Sequence, residues 1–187
     1  MTNYNLENLK FLVIEQNPLT SEAIRLLLHR LGVNDVKCAS TVDTAFDIFQ
    51  ENPLDLVISD WSPGIDGIHF LHMVRNDNSK INPFIPIIIL SAYTDADQLN
   101  QAVNAGINEF IPKPFSARHI YMRIKNVIEM PHFFVRSGVY FGPCRRHILI
   151  APHCNQNEKI ALYAGSERRV RDIDIDDGRL NYRTTIG

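Results

Sequence analysis

Apolar runs recur through the first two-thirds of the chain, each bounded by polar or turn-forming residues: Phe11-Leu-Val-Ile14, Leu56-Val-Ile58, Ile85-Pro-Ile-Ile-Ile-Leu90 and Glu109-Phe-Ile-Pro112. Short runs of this kind suit strands buried on both faces. A weaker stretch over 33–39, interrupted by Asn34, Asp35 and Lys37, reads as a strand nearer a sheet edge. Between the runs the apolar period changes to that of a helix. Ile24, Leu27, Leu28 and Leu31 share one face, with Thr20 or Ser21 as cap and Gly32 as stop. Thr41 can cap a second helix carrying Ala45, Ile48 and Phe49, which ends before Pro53. Ile68, Leu71, Met73 and Val74 mark a third, Leu99, Ala102 and Val103 a fourth over 95–105 that stops at Gly106, and Ile120, Ile124, Val127 and Ile128 a fifth capped by Ser116. Strand and helix alternate five times, which predicts an α/β fold with a parallel sheet covered on both faces.

Beyond Met130-Pro131 the pattern dissolves. Pro131, Pro143 and Pro152, with Gly138, Gly142, Gly165 and Gly178, break any long helix. The expected division is a folded domain over 1–130 and an irregular, Pro/Gly-interrupted extension over 131–187. Segments 147–151 and 159–163 could form short strands there, and the rest could order only against a partner. Tyr140-Phe-Gly-Pro-Cys-Arg-Arg146 and Tyr163-Ala-Gly-Ser-Glu-Arg-Arg169 are two imperfect copies of one aromatic-x-Gly-x-x-Arg-Arg unit, too few for a solenoid.

Charge sharpens that division. The net charge of −2 over 187 residues splits into 7 Lys/Arg against 14 Asp/Glu through Ala117, and 12 against 7 from Arg118 onward. An acidic domain therefore carries a basic extension, which suits an anionic counterpart, its own domain included. No apolar run approaches the ~18 residues of a membrane span, the N-terminus lacks the layout of a signal peptide, and three irregularly spaced cysteines argue against a disulfide framework. A cytoplasmic location is expected.

Candidate chemistry gathers where the strands end. In an open parallel sheet the carboxyl ends of strands meet loops and helix starts. Asp60 closes one run and precedes Pro63, Gly64 and Gly67; Glu15-Gln16, Ser91-Ala92 and Lys113-Pro114-Phe115 close three others. A carboxylate so placed is a candidate nucleophile if other groups hold a metal and an anion beside it. Lone residues of these types are usually solvated turn residues, but four in order, each closing an apolar run, make coincidence a poor account.

These motifs resemble the response-regulator receiver domain, the family of the chemotaxis protein CheY. The resemblance implies a flavodoxin-like, doubly wound (βα)5 fold with five parallel strands. It implies that Asp60 accepts a phosphoryl group from a histidine kinase or phosphotransfer protein with Mg²⁺ present, that Lys113 and the Ser91 hydroxyl contact phosphoryl oxygens, and that Glu15, Gln16, Asp60 and the Ser62 carbonyl form the metal site. Ser91 and Phe110 correspond to the family's switch pair, and Lys113-Pro114 to a lysine-proline pair whose peptide bond is often cis. The expected role is a stand-alone receiver that signals to a downstream protein and turns over no separate substrate. Two departures stand out. Gln16 occupies a position that is usually acidic; an amide brings no charge to a hard cation, so Mg²⁺ binding is expected to be weakened. The interval from Asp60 to Gly67 is also one residue shorter than usual.

The extension leaves several readings open. Arg136, Arg145, Arg146, Arg168, Arg169 and Arg171 lie among Tyr140, Phe141 and Tyr163, and guanidinium groups bind phosphates bidentately and stack on rings. The layout resembles the arginine-rich extensions of some alphaproteobacterial CheY-like proteins, a group of which binds cyclic di-GMP. A phosphorylation-independent module binding a cyclic dinucleotide or a protein is thus the alternative to a phosphorylated receiver, and docking on the acidic domain or on a protein partner is the simpler role for the extension. Pro143 and Pro152 leave no helix-turn-helix, and slight overall acidity argues against nonspecific DNA binding. Cys144, His147, His153 and Cys154 match no established zinc spacing.

Overall fold

The computed structural model describes residues 5–63, 65–76, 82–92, 96–129, 133–137, 140–143, 159–162, 171–176 and 179–184. In chain order the elements are β1 (Lys10–Ile14), α1 (Pro18–Arg30), β2 (Asp35–Ala39), α2 (Val42–Glu51), β3 (Leu56–Trp61), α3 (Gly67–Asn76), β4 (Ile87–Ser91), α4 (Ala96–Ala105), β5 (Glu109–Pro112) and α5 (Ala117–Glu129). The strands form one parallel sheet in the order β2-β1-β3-β4-β5. This is the doubly wound, flavodoxin-like arrangement, and β2 lies at the edge.

Two apolar layers sandwich the sheet, and the strand period of two sorts residues between them. Leu12, Ile14, Val57, Ile87 and Ile89 face a layer with Ala45 and Phe49 of α2, Phe70 and Leu71 of α3, and Ala102 of α4. Their neighbours Phe11, Val13, Leu56, Ile58, Ile88, Leu90 and Ile111 face Ile24 and Leu28 of α1 and Ile120 and Ile124 of α5. Every residue of β3 and β4 is buried, as expected for central strands covered on both sides.

Local differences from the sequence expectations have simple causes. The cap of α1 is Asn17, not Thr20 or Ser21: its side-chain oxygen accepts from the N–H groups of Leu19 and Thr20 at 2.9 and 3.2 Å, and Pro18 at the first helical position lacks an N–H that would need a partner. Leu99, expected to face inward, is exposed, because Ala102 and Ala105 supply the buried face of α4. Thr41 and Ser116 do cap their helices, accepting from Thr44 N and His119 N.

The extension, expected to be irregular, contributes β6 (Phe133–Ser137), β7 (Tyr140–Pro143), β8 (Lys159–Leu162), β9 (Arg171–Asp176) and β10 (Arg179–Thr184). They form a second, antiparallel sheet in the order β10-β9-β8-β6-β7. Prolines and glycines that forbid a long helix are compatible with turns and strand ends, so helix breakers did not imply lack of structure. The expected strand at 159–163 is β8, whereas 147–151 lies outside the described residues. Among the described residues no helix is long and apolar enough to cross a membrane.

Truncating a side chain at the centre of the parallel sheet should be costly. Ile58 is fully buried on β3, and Ile58→Ala is expected to lower unfolding stability by roughly 2–5 kcal/mol through lost burial and a residual cavity, measured by urea titration followed by far-UV circular dichroism.

Candidate functional site

The site forms where β1, β3, β4 and β5 end on one rim of the sheet. Register brings the ends level: Ile14 lies opposite Ser59, Trp61 opposite Ser91, and Ser91 opposite Pro112. Backbone hydrogen bonds extend the alignment past the last paired residues, from Glu15 N to Ala39 O at 3.0 Å and from Lys113 N to Ser91 O at 2.7 Å. Lys113 is thus anchored through the main chain to Ser91, the last residue of β4. The Lys113-Pro114 peptide bond is cis.

Parity then decides which side chains meet. Glu15, Asp60 and Lys113 each follow by two residues a side chain of the α1/α5 layer, namely Val13, Ile58 and Ile111. All three therefore emerge on that face. Lys113 Nζ lies 2.7 Å from Asp60 Oδ1 and 3.1 Å from Glu15 Oε2. Both carboxylates are buried, Asp60 at 2% and Glu15 at 5% exposure, so a shared ammonium offsets charge that water does not reach. Burial by itself would lower the lysine pKa; hydrogen bonding and the charges of Asp60 and Glu15 outweigh it and hold Lys113 above its ordinary value. The other Glu15 oxygen accepts from Asn17 N at 2.9 Å, tying the site to the first turn of α1.

Ser91 follows Ile89 of the opposite layer. Its hydroxyl donates to the Trp61 carbonyl at 3.2 Å, holding it beside the strand that carries Asp60. Phe110 is half-buried against the α2–α4 layer. Gln16 is exposed beside the buried Glu15.

The shortened interval after Asp60 has a visible consequence. Ser62 and Ile65 exchange both backbone hydrogen bonds at 3.0 Å, closing the loop as a tight turn. The Ser62 carbonyl, expected to face a cation, therefore accepts from Ile65 N. Ser62 reaches the site through its side chain instead, its hydroxyl donating to Asp60 Oδ2 at 2.6 Å. With one residue fewer, the turn satisfies its own backbone first. Serine at this position was the available signal for that second contact. Gly67 is a further requirement: a Cβ there would lie 2.5 Å from the Asp60 carbonyl and 2.8 Å from Ser59 Oγ. Only glycine lets α3 begin this close to the strand bearing Asp60.

The oxygen donors fit a hard divalent cation such as Mg²⁺. Glu15 and Asp60 converge on one ammonium, and Asp60 Oδ1, 2.7 Å from it, is a buried carboxylate oxygen of the kind a hard cation favours. The donor set is sparse: among the described residues no group of three or more His, Cys, Asp or Glu could hold a metal. Arg145, Arg146, Arg168 and Arg169 lie outside the described residues, as do Cys144, His147, His153 and Cys154.

Comparison with known proteins shows the family and the fold. Residues 11–125 match the response regulator receiver domain family. The chain is 28% identical over 124 residues to the chemotaxis protein CheY-3 of Vibrio cholerae serotype O1, covering 66% of this chain and 94% of that protein. It is 29% identical over 122 residues to the chemotaxis protein CheY of Pseudomonas aeruginosa, covering 65% and 97%. A response regulator receiver domain protein from Clostridium thermocellum superposes with a TM-score of 0.57 at 32% identity, over 65% of this chain and 94% of that one. The fold is also that of CheY4 of Vibrio cholerae, with a TM-score of 0.57 at 22% identity, covering 64% and 98%.

The raised lysine pKa carries a pH dependence of definite sign. Stability gained by the ammonium is complete below the ordinary lysine value of 10.5 and is lost as pH rises through the higher folded value. Lys113→Met is expected to be less stable than the wild type at neutral pH, with the gap closing above pH 10.5, in urea titrations across an alkaline series. A gap that widens there would contradict the assignment.

Proposed function

Because this chain belongs to the response regulator receiver domain family, we propose that Asp60 accepts a phosphoryl group from a phosphohistidine, and that the protein passes this signal on by protein–protein contact. The observation that carries the reading is the Lys113 ammonium held 2.7 Å from a buried Asp60 carboxylate, with Glu15 beside it. In the transfer an Asp60 oxygen bonds to phosphorus while the bond from phosphorus to the donor's imidazole nitrogen breaks. The electron pair leaves with the imidazole, which is completed by a proton. Lys113 offsets the charge on Asp60 and can follow a phosphoryl oxygen as the acyl phosphate forms.

Receivers generally depend on Mg²⁺, and Glu15 and Asp60 are the side chains that would hold it here. When bound, the cation supplies positive charge against the repulsion between a carboxylate and an incoming phosphoryl group. Gln16 contributes no charge to that site, so its cation affinity is low for the family. The Ser91 hydroxyl, bonded to the Trp61 carbonyl, is the group that would exchange this partner for a phosphoryl oxygen. Phe110, half-buried nearby on β5, would respond to the change in Ser91. The donor is a histidine kinase or phosphotransfer protein and the reader is a separate downstream protein. The chemistry is confined to the chain's own aspartate.

Incubation with acetyl phosphate and Mg²⁺ is expected to give a labile phosphate adduct by intact mass, absent in Asp60→Asn. An adduct that persists in Asp60→Asn would remove the assignment. Gln16→Asp is expected to tighten Mg²⁺ binding by about tenfold, or ~1.4 kcal/mol. Titration followed by the fluorescence of Trp61, the sole tryptophan and the neighbour of Asp60, measures it.

A further inference from the structure

The rim opposite Asp60 holds a second buried charge, which the phosphoryl chemistry does not use. Arg75, in the last turn of α3, is 2% exposed. Its guanidinium donates to Pro83 O at 2.6 Å, to Asn108 Oδ1 at 3.1 Å and to Gly106 O at 3.4 Å. Asn108 Oδ1 also accepts from Ile87 N at 3.0 Å. Among the described residues these partners are all neutral, and burial lowers the Arg75 pKa to about 9. The remaining cover comes from the extension: the Phe134 ring of β6 lies 5.0 Å from the guanidinium carbon. A ring face is one of the few apolar surfaces that attracts a cation while excluding water from it.

Phe134 is one of three rings that join the two sheets. Phe84, just before β4, meets Phe134 and Phe141 at centroid distances of 5.3 and 5.4 Å, and Phe134 meets Phe141 at 5.7 Å. All three are buried. Beside them the two backbones touch. Gly106, which ends α4, has φ +95°, and a Cβ on it would lie 2.7 Å from the Phe141 carbonyl oxygen. A Cβ on Gly142 would lie 2.6 Å from Gly106 Cα. Neither glycine can acquire a side chain unless the hairpin or the helix end moves. Within β7 the Tyr140 hydroxyl donates to Pro143 O at 2.8 Å.

The helix gripped in this way has its other end at the functional rim. α4 begins at Ala96, five residues after Ser91, and runs to Ala105 beside the clamp. Ten helical residues span about 15 Å as a stiff rod. We propose that the β6–β7 hairpin, seated on Arg75, clamps the trailing end of α4, so that the extension and the Asp60 rim bias one shared element. A change at Ser91 enters α4 at its start and is felt by the hairpin at its end; a ligand or partner that lifts the hairpin is felt in reverse, since such coupling is reciprocal. The phosphoryl half of this linkage rests on the reading of Asp60 given above, whereas the clamp does not.

Hydrogen exchange read by mass spectrometry on the full chain tests both halves. Phe134→Ala opens the ring cluster and Gly142→Val forces the backbones apart. In each, amides of 102–108 are expected to exchange about tenfold faster, with β1 and β3 unchanged. Faster exchange in 133–143 without change in 102–108, or no change in either segment, overturns the clamp. Arg75→Met tests the same contact from the receiver side; should it unfold, the two hairpin variants still decide, because they leave the bonds to Pro83 and Asn108 in place. In the wild type, acetyl phosphate with Mg²⁺ is expected to alter exchange in 133–143 once intact mass shows the adduct. An adduct with no change in that segment overturns the coupling. Absence of any adduct sinks the Asp60 reading instead, and the hairpin variants then decide the clamp alone.

Discussion

A carboxylate at the end of a covered strand loses its water and needs another partner, and at Asp60 that partner is the Lys113 ammonium. The pair brings together residues 53 positions apart in the chain at 2.7 Å, one on β3 and the other just past β5, strands that are not adjacent in the sheet. An unpaired buried charge is far more costly than a hydrogen-bonded one. The ends of β3 and β5 are therefore constrained to one rim, and Glu15 joins them because the same ammonium serves it at 3.1 Å. Phosphoryl chemistry on Asp60 would exploit a charge arrangement that the folded chain needs in any case.

The opposite rim solves a similar problem with different groups. Arg75 has carbonyls, an amide oxygen and a ring in place of a carboxylate. Neutral acceptors take bonds from the guanidinium's two terminal nitrogens, the ring shields its face, and among the described residues no carboxylate is bonded to the desolvated charge. Such an arrangement is tolerable only while the cover stays in place. The β6–β7 hairpin is that cover, so the second sheet is tied to the receiver by more than the chain running between them. The three phenylalanines supply apolar area, and the glycine pair permits the close approach that seals it.

The two rims also differ in how rigidly they are built. At Asp60 the contacts are side chain to side chain, and a hydroxyl or ammonium can change partner by rotation. At Gly106 and Gly142 the contact is backbone to backbone, where nothing can rotate away. Under the proposed clamp, α4 joins an end that can switch to an end that is fixed, an arrangement that would carry displacement and not absorb it.

Strand runs, helix faces and the order of strand-end residues were legible in the sequence because they depend on local periods of two and 3.6 and on which residue types close them. Asp60, Glu15, Ser91 and Lys113 could be named for that reason, and even their faces follow from counting two residues back to Ile58, Val13, Ile89 and Ile111. Other features left no periodic signal, whether their partners were near in sequence or far. Asn17 displaced Thr20 and Ser21 as a cap through the start of α1; the Ser62 carbonyl turned to Ile65 because a shortened loop closed on itself; Arg75 drew no notice in the sequence, since the Phe134 ring that covers it lies 59 residues later. Proline and glycine in the extension announced only what the backbone could not be. That Gly142 and Pro143 sit in a second sheet, pressed against the end of α4, was decided by tertiary packing, since close approach of two backbones leaves no periodic trace in either segment.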